Sequence, residues 1–147
     1  MGTNTDVTDS LEVLLADSYT LYVKTHGYHW NVTGPMFNSL HLMFENQYTE
    51  LAAAVDEIAE RIRTLGPPAP GSYAQFAKLT SVEEDTTVPK ALDMVRALAD
   101  DHGKVAASAR AVVKAAEAAG DDATVDLGVR RIDVHEKTAW MLRSHLE

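Results

Sequence analysis

Cysteine is absent from the 147-residue chain. This absence excludes disulfide bonds, metal sites built from thiolates and catalysis by a thiol. The first thirty residues also lack a continuous apolar run, so we expect neither a signal peptide nor a membrane-spanning helix. The expectation is therefore a cytoplasmic protein with no membrane partner.

Basic residues are scarce. The chain has 13 Lys and Arg against 22 Asp and Glu, which gives a formal net charge of -9. Such a surface repels nucleic acid and attracts cations. The opening segment MGTNTDVTDS has no Lys or Arg, and the first basic residue is Lys24. DNA binding, which depends on many phosphate contacts, is therefore not expected.

Apolar residues recur at helical spacing in four long segments, and no segment shows the alternation of a strand. Polar residues able to cap a helix precede the first segment, and glycine or proline ends the second and third. The first predicted helix starts after the cap candidates Asp6, Thr8, Asp9 and Ser10. The second runs from about Asn38 to Leu65 and the third from about Thr87 to Ala119. The fourth runs from DDATVD to the end of the chain.

The connection between the second and third helices, residues 69–86, is unusually long. It contains SYAQFAKL, which we expect to form about two turns of helix. Four long helices with one long crossover are typical of a ferritin-like bundle. We therefore predict an all-α, ferritin-like four-helix bundle with a short helix between helices 2 and 3. It would be a single domain of residues 1–147, with a short polar arm at residues 1–6.

The second helix carries two pairs of possible metal ligands on one flank. His41 and Glu45 are four residues apart, and so are Asp56 and Glu60. At about 100° per residue, all four fall within roughly 100° around the helix axis. Imidazole and carboxylate together suit ferrous iron, manganese or zinc. Each residue taken alone reads more simply as a surface acid or a partly buried histidine, but the pairing favours a metal site.

His29 lies 12 positions before His41, across a short Gly-Pro connection, and could join His41 and Glu45 in a half-site. His41 and Asp56 are 15 residues apart, which is ~22 Å along one straight helix. Metal bonds near ~2 Å cannot span that distance. The two ligand pairs can share an ion only if two copies of the helix pack antiparallel about a two-fold axis. The spacing therefore predicts a site between two subunits.

Di-iron sites inside a single four-helix bundle use Glu-x-x-His pairs on two helices. The sequence contains no Glu-x-x-His. This absence argues against a site within one bundle and favours the site at the interface.

The stretch KTHGYHWNVTGPMFNSLHLMFENQYTELAAAVDEIAERIRTLG, residues 24–66, resembles the signature region of the Dps family, the mini-ferritins of starved bacterial cells. The resemblance extends more weakly to GDDATVDL and DVHEKTAWML, so it covers most of the chain. It implies a hollow dodecamer built from two-fold dimers, with a ferroxidase centre at each two-fold interface.

By position, the resemblance assigns the centre to His29, His41 and Glu45 of one subunit and to Asp56 and Glu60 of its partner. Many relatives have aspartate where this chain has Glu45, and the longer side chain can still bind iron. Trp30 matches a tryptophan beside the centre that is thought to take part in electron transfer. A packed interface aromatic is an equally good reading of Trp30.

Three acids stand at the start of the fourth helix: Asp121, Asp122 and Asp126. They could cap the helix and match its dipole. The resemblance instead suggests that they line three-fold pores that admit Fe(II). His26, His102, His135 and His145 have no evident partners, and we expect them to be structural or surface residues.

The leading functional hypothesis is an iron-storage and detoxification protein, a ferroxidase that oxidises Fe(II) to Fe(III) and protects against oxidative stress. Its substrates would be Fe(II) and H2O2 or O2, with iron and no organic cofactor. The family resemblance favours peroxide as the oxidant. An alternative is a DNA-compacting nucleoid-type protein with little ferroxidase activity. A third possibility is a non-enzymatic helical bundle whose acids only keep it in solution.

Overall fold

A computed structural model describes residues 2–147 and contains five α-helices. They are α1 (Asn4–Asn31), α2 (Phe37–Thr64), α3 (Tyr73–Leu79), α4 (Ala91–Ala119) and α5 (Asp122–Arg143), and a single 3-10 turn follows at Ser144–Leu146. Four long helices and a short helix in the crossover confirm the predicted all-α bundle. None of the helices in the described chain is both long enough and apolar enough to cross a membrane.

The helices pair as two hairpins. Helix α1 packs along α2, and α4 packs along α5, while α1 and α4 join the two pairs. The backbones of α2 and α5 approach less closely, and ion pairs bridge these two helices: Arg61–Asp121, Glu57–Arg130 and Glu50–Arg131. The core is apolar and fully buried, and its largest members are Leu11, Leu14, Leu15, Leu21, Leu40, Phe44, Leu51, Ile58, Ile62, Met94, Leu98 and Leu142.

The turn between α1 and α2 positions the candidate ligands. Gly34 has φ +107, a backbone conformation that favours glycine, and Pro35 follows it. The amide of Phe37 donates to the carbonyl of Gly34 at 3.0 Å and closes the turn. The chain therefore reverses within five residues, and the end of α1 lies beside the start of α2.

The prediction of an N-terminal arm over residues 1–6 is wrong for residues 4–6, because α1 begins at Asn4. Thr3 is the N-cap and forms a capping box with Asp6, in which each side chain accepts from the other residue's amide at 3.1 Å. The outer end of the arm includes Met1, which lies outside the described residues.

The third long helix begins at Ala91, four residues later than predicted. Asp85 explains the delay, because its carboxylate accepts from the amide and the hydroxyl of Thr87 at 2.8 and 2.6 Å. Such local bonds hold the chain in a turn and compete with helix formation. Pro89 also disfavours helical backbone at the residue before it.

A buried carboxylate anchors the crossover to the bundle. Asp17 of α1 is fully buried and accepts hydrogen bonds from Thr80, Ser81 and Ser108 at 2.5 to 3.0 Å. Thr80 and Ser81 follow α3, and Ser108 lies on α4. The crossover is thus fixed against α1, and α3 packs on that helix.

Candidate metal centre

Two histidine rings face each other where α1 ends and α2 begins. His29 is 6% exposed, and its ring stacks on that of His41 with centroids 3.8 Å apart and an interplanar angle of 14°. Phe37 stacks on the other side of His41 at 5.0 Å. Both imidazoles are therefore held in place by packing.

Reciprocal hydrogen bonds set the tautomer of both rings. Nδ1 of His29 lies 2.7 Å from the backbone carbonyl of His41, and Nδ1 of His41 lies 2.7 Å from the carbonyl of His29. A carbonyl can only accept, so each Nδ1 must carry the proton. In the tautomer that these bonds select, Nε2 is the nitrogen left to bind a metal.

Glu45 lies one turn further along α2 and completes a cluster. Its Oε1 is 3.9 Å from Nε2 of His29, and one ligand atom from each of His29, His41 and Glu45 lies within 4.8 Å of the others. Within the described residues, no other group of three such side chains is close enough to hold an ion. The cluster offers two nitrogens and a carboxylate, a donor set suited to a divalent transition metal.

Asp56 and Glu60 are exposed and lie towards the other end of α2. They are not part of the histidine cluster in a single chain. Instead they line an open pocket together with Arg61 and Arg130, beside the start of α5. One subunit therefore presents two separate groups of candidate ligands.

Trp30 follows His29 and points away from the core. It is 65% exposed, and its ring lies 4.0 Å from that of His26. His26 in turn stacks on Tyr48 at 4.2 Å. An exposed indole beside the cluster agrees with either reading of Trp30, a partner in electron transfer or an aromatic residue covered by another subunit.

Asp121 has a structural role at the start of α5. It is the N-cap and accepts from the amide and the hydroxyl of Thr124 at 3.1 and 2.6 Å. Arg61 of α2 forms an ion pair with it at 2.8 Å. Burial alone would raise the pKa of Asp121, but the bonds from Thr124 and the charge of Arg61 outweigh it, so the pKa lies below 3.8.

The other two acids of this region differ in their surroundings. Asp126 is exposed and pairs with Arg130 at 3.0 Å, while Arg130 also binds Glu57 at 2.6 Å. Asp122 is exposed in the first turn of α5. Of the three acids proposed for a pore, Asp122 is the one for which no basic partner is found in the described chain.

We expect Asp121→Ala to destabilise the subunit by about 1–2 kcal/mol, because it removes an N-cap and an ion pair. Asp122→Ala should change stability by less than about 0.5 kcal/mol, the usual size of a surface substitution. Urea unfolding at neutral pH measures both. Equal midpoints for the two variants would contradict the assignment of Asp121 as the cap.

Two histidines that we expected to be isolated form a buried pair between α4 and α5. Nδ1 of His102 lies 2.9 Å from Nδ1 of His135, and both residues are at most 2% exposed. Arg131 donates to Nε2 of His135 at 3.1 Å and binds both carboxylate oxygens of Glu50. Arg131 and His135 are four residues apart on one helix, but nothing local in the sequence links either to His102.

The ferritin-like domain family matches residues 8–147 of the chain. A low temperature-induced protein of Nostoc is 43% identical over 135 residues, which cover 90% of this chain and 75% of that protein. DNA protection during starvation protein 2 of Bacillus anthracis is 35% identical over 143 residues, which cover 97% of this chain and 98% of that protein. These matches span nearly the whole chain.

Among solved structures, the Dps protein of Vibrio cholerae superimposes with a TM-score of 0.94 at 33% identity and covers 98% of this chain and 91% of that one. It is described as a member of the ferritin-like diiron-carboxylate proteins. The sequence match and the fold match extend over the same helices. The chain therefore belongs to the Dps family of mini-ferritins.

Proposed function

We propose that the protein is a ferroxidase that binds Fe(II) between two subunits, with His29, His41 and Glu45 from one copy and Asp56 and Glu60 from the other. The observation that carries this proposal is the reciprocal pair of hydrogen bonds, which leaves Nε2 of both histidines free beside Glu45. Imidazoles fixed in this tautomer through their other nitrogen are typical of metal ligands.

The five proposed ligands form two separate groups on one chain, and this separation supports sharing. Two histidines and one carboxylate suit a divalent ion, and two further carboxylates would add negative charge and oxygen ligands, which favour Fe(III) over Fe(II). Asp56 and Glu60 are exposed and therefore free to meet a second copy. Because α2 carries His41 and Glu45 towards one end and Asp56 and Glu60 towards the other, a two-fold axis across the middle of α2 would bring the two groups together twice in each dimer.

The proposed reaction oxidises two Fe(II) ions together. Two Fe(II), one H2O2 and two protons give two Fe(III) and two water molecules, so no hydroxyl radical is released. The ligands bring the irons together and the carboxylates stabilise the charge that develops on them. In this account Trp30 either donates an electron at the centre or packs against the second subunit.

We further propose that the subunits form a hollow dodecamer in which ferric mineral accumulates. The formal charge of -9 per chain supports the concentration of iron cations near the protein. Asp121, Asp122 and Asp126 would flank the entrance for Fe(II). Asp122 would be the main attractive charge there, because Asp121 and Asp126 are paired with Arg61 and Arg130.

Protection of DNA, which the name of the Bacillus anthracis relative states, would follow here from the removal of iron and peroxide. Coating of DNA requires several cationic contacts with phosphate. Acidic residues outnumber basic ones by 22 to 13 in this chain, which opposes such contacts.

The test is the stoichiometry of the reaction. Purified protein without iron is mixed with Fe(II) under anaerobic conditions, and H2O2 is added in steps while ferric absorbance is followed. A two-electron step predicts that ~2 Fe(II) are consumed for each H2O2. A ratio near 1, accompanied by hydroxyl radical caught by a spin trap, would contradict the paired reaction.

A further inference from the structure

A series of tyrosine rings leads away from the candidate metal centre. The ring of Tyr48 meets that of His29 edge-on, with centroids 5.1 Å apart. Tyr48 contacts Tyr22 at 6.0 Å, Tyr22 contacts Tyr19 at 5.8 Å, and Tyr19 contacts Tyr73 at 6.2 Å. Every step is an edge-to-face contact within the range of direct aromatic interaction.

The helical fold creates this alignment. Tyr19, Tyr22, His26 and His29 are three or four residues apart on α1 and therefore share one face of that helix. Tyr48 of α2 packs against the same face, and Tyr73 reaches it from α3. The series of rings from the metal centre to α3 thus depends on three helices.

The series begins inside the protein and ends at its surface. Tyr48, Tyr22 and Tyr19 are partly buried, whereas Tyr73 is 75% exposed. Four of the five tyrosines belong to the series. The fifth, Tyr28, lies apart, is buried, and donates a hydrogen bond to Asp85 at 2.6 Å.

We propose that Tyr48, Tyr22, Tyr19 and Tyr73 carry one-electron oxidising equivalents from the metal centre to the surface, where a small reductant such as ascorbate or a thiol removes them. This inference rests on the proposed function, because iron oxidation at the centre supplies the oxidant. It assigns the four phenols a redox role that is separate from that of Trp30.

Such a path matters when only one Fe(II) occupies the centre. One Fe(II) and H2O2 then give Fe(III), hydroxide and a hydroxyl radical. The radical takes a hydrogen atom, that is one electron and one proton, from the phenol of Tyr48 and becomes water. The paired reaction cannot remove this radical, because no second iron is present to supply the electron.

The subsequent steps pass the same oxidising equivalent towards Tyr73 at the surface. Tyr22 gives an electron and a proton to the Tyr48 phenoxyl radical, Tyr19 restores Tyr22, and Tyr73 restores Tyr19. At the surface the reductant gives one hydrogen atom to Tyr73 and becomes a radical of low reactivity. The net reaction consumes Fe(II), H2O2 and one reductant and yields Fe(III), hydroxide, water and the oxidised reductant.

The relay can be tested without iron if an attached photo-oxidant supplies the oxidising equivalent. The chain has no cysteine that would compete for such a label. Thr49→Cys places a single thiol at an exposed position next to Tyr48, where a ruthenium photo-oxidant can be attached. Both tryptophans, Trp30 and Trp140, are changed to Phe so that phenols are the main targets of the flash. Phenoxyl radical is then followed by transient absorption and electron paramagnetic resonance with increasing ascorbate.

In the labelled parent, ascorbate should shorten the lifetime of the radical. Tyr22→Phe should abolish this effect and leave the radical on Tyr48, while Tyr28→Phe, the matched control outside the series, should behave like the parent. Phe keeps the ring and removes only the hydroxyl, and circular dichroism verifies that each variant is folded. Equal ascorbate dependence in the Tyr22→Phe and Tyr28→Phe variants would overturn the proposal.

A second measurement separates this inference from the proposed function. Wild-type protein and each variant receive repeated additions of one Fe(II) per centre followed by H2O2, with ascorbate present, and escaping hydroxyl radical is spin-trapped. After the first addition Tyr48 must be restored before it can react again, so we expect Tyr22→Phe to release more trapped radical than Tyr28→Phe. If neither wild type nor variant oxidises iron while the flash experiment still distinguishes Tyr22 from Tyr28, the proposed ferroxidase function fails and only the electron path through the tyrosines is supported.

Discussion

Replacing His41 by alanine is expected to weaken the binding of a divalent cation at the histidine cluster by at least roughly 10–100-fold, the loss that follows even from indirect damage to a metal site. The substitution removes one ligand nitrogen. It also removes the hydrogen bond to the carbonyl of His29 and the ring that stacks on His29 at 3.8 Å. The remaining imidazole therefore loses both its partner ligand and part of its support.

Calorimetric titration with Co(II) measures this loss, because Co(II) accepts the same ligands as Fe(II) and is not oxidised during the titration. His145→Ala is the matched control, since His145 lies just after the C-terminal end of α5 and its Nδ1 hydrogen-bonds the carbonyl of Met141 at 3.1 Å. Equal Co(II) affinity of His41→Ala and His145→Ala would show that the cluster is not the metal site.

The second large effect is a loss of stability in mild acid. Burial lowers the pKa of His102 to about 3, and the charge of Arg131 acts in the same direction. Burial, His102 and Arg131 together lower the pKa of His135 well below 6.5. The charged group that acts on both rings is Arg131, which is paired with Glu50, and its positive charge opposes protonation of either ring.

The sign follows from proton linkage. Below pH ~6.5 the unfolded chain protonates both histidines while the folded protein does not, so the unfolded state binds more protons. The stabilisation is complete above pH ~6.5 and falls by up to about 1.4 kcal/mol per pH unit for each histidine as the pH decreases. The low pKa of Asp121 contributes only at more acidic pH.

Urea unfolding between pH 7 and 5, at one protein concentration, checks this expectation. The double variant His102→Gln, His135→Gln keeps polar side chains that do not titrate, and its stability should depend less on pH in this range. His145→Ala again serves as the control and should keep the wild-type slope. A double variant with an unchanged slope would contradict the assignment of acid sensitivity to the buried pair.

The histidine cluster could be predicted because it depends on local sequence. His29 and His41 are separated by one tight turn, and His41 and Glu45 by one turn of helix, so their convergence needs little information beyond helix periodicity. The extent of α2 was predicted within one residue at each end for the same reason. What sequence could not supply was the pair of hydrogen bonds to backbone carbonyls that orients both rings.

The start of α4 and the N-terminal arm were mispredicted because side chains compete locally with the backbone. Asp85 holds Thr87 in a turn, and Thr3 with Asp6 starts α1 earlier than the later cap candidates suggested. Thr3, which caps α1, is not among the cap candidates that the sequence suggested, and α4 starts after Lys90, whose side chain makes no capping bond. Only the structure shows which residue the chain uses.

The His102–His135 pair and the anchor at Asp17 depend on how distant helices pack. His102 and His135 are 33 residues apart, and Asp17 and Ser108 are 91 apart. Their meeting is decided by the relative rotation of α1, α4 and α5, which periodicity within one helix does not specify. The ion pairs that bridge α2 and α5 could not be predicted for the same reason.

The central claim is that each metal centre takes ligands from two subunits, and mixing two defective variants tests it most directly. One variant lacks the histidine half, with His29→Ala and His41→Ala. The other lacks the acidic half, with Asp56→Ala and Glu60→Ala. Each alone should oxidise Fe(II) poorly, because every centre in a pure assembly has lost ligands.

The two variants are unfolded together, refolded and purified as assemblies shown by mass spectrometry to contain both chains. Random pairing makes about half of the dimers mixed, and each mixed dimer has one intact centre of two, so roughly a quarter of the wild-type Fe(II) oxidation rate should return. Mixed assemblies that are no more active than either parent would contradict the shared centre.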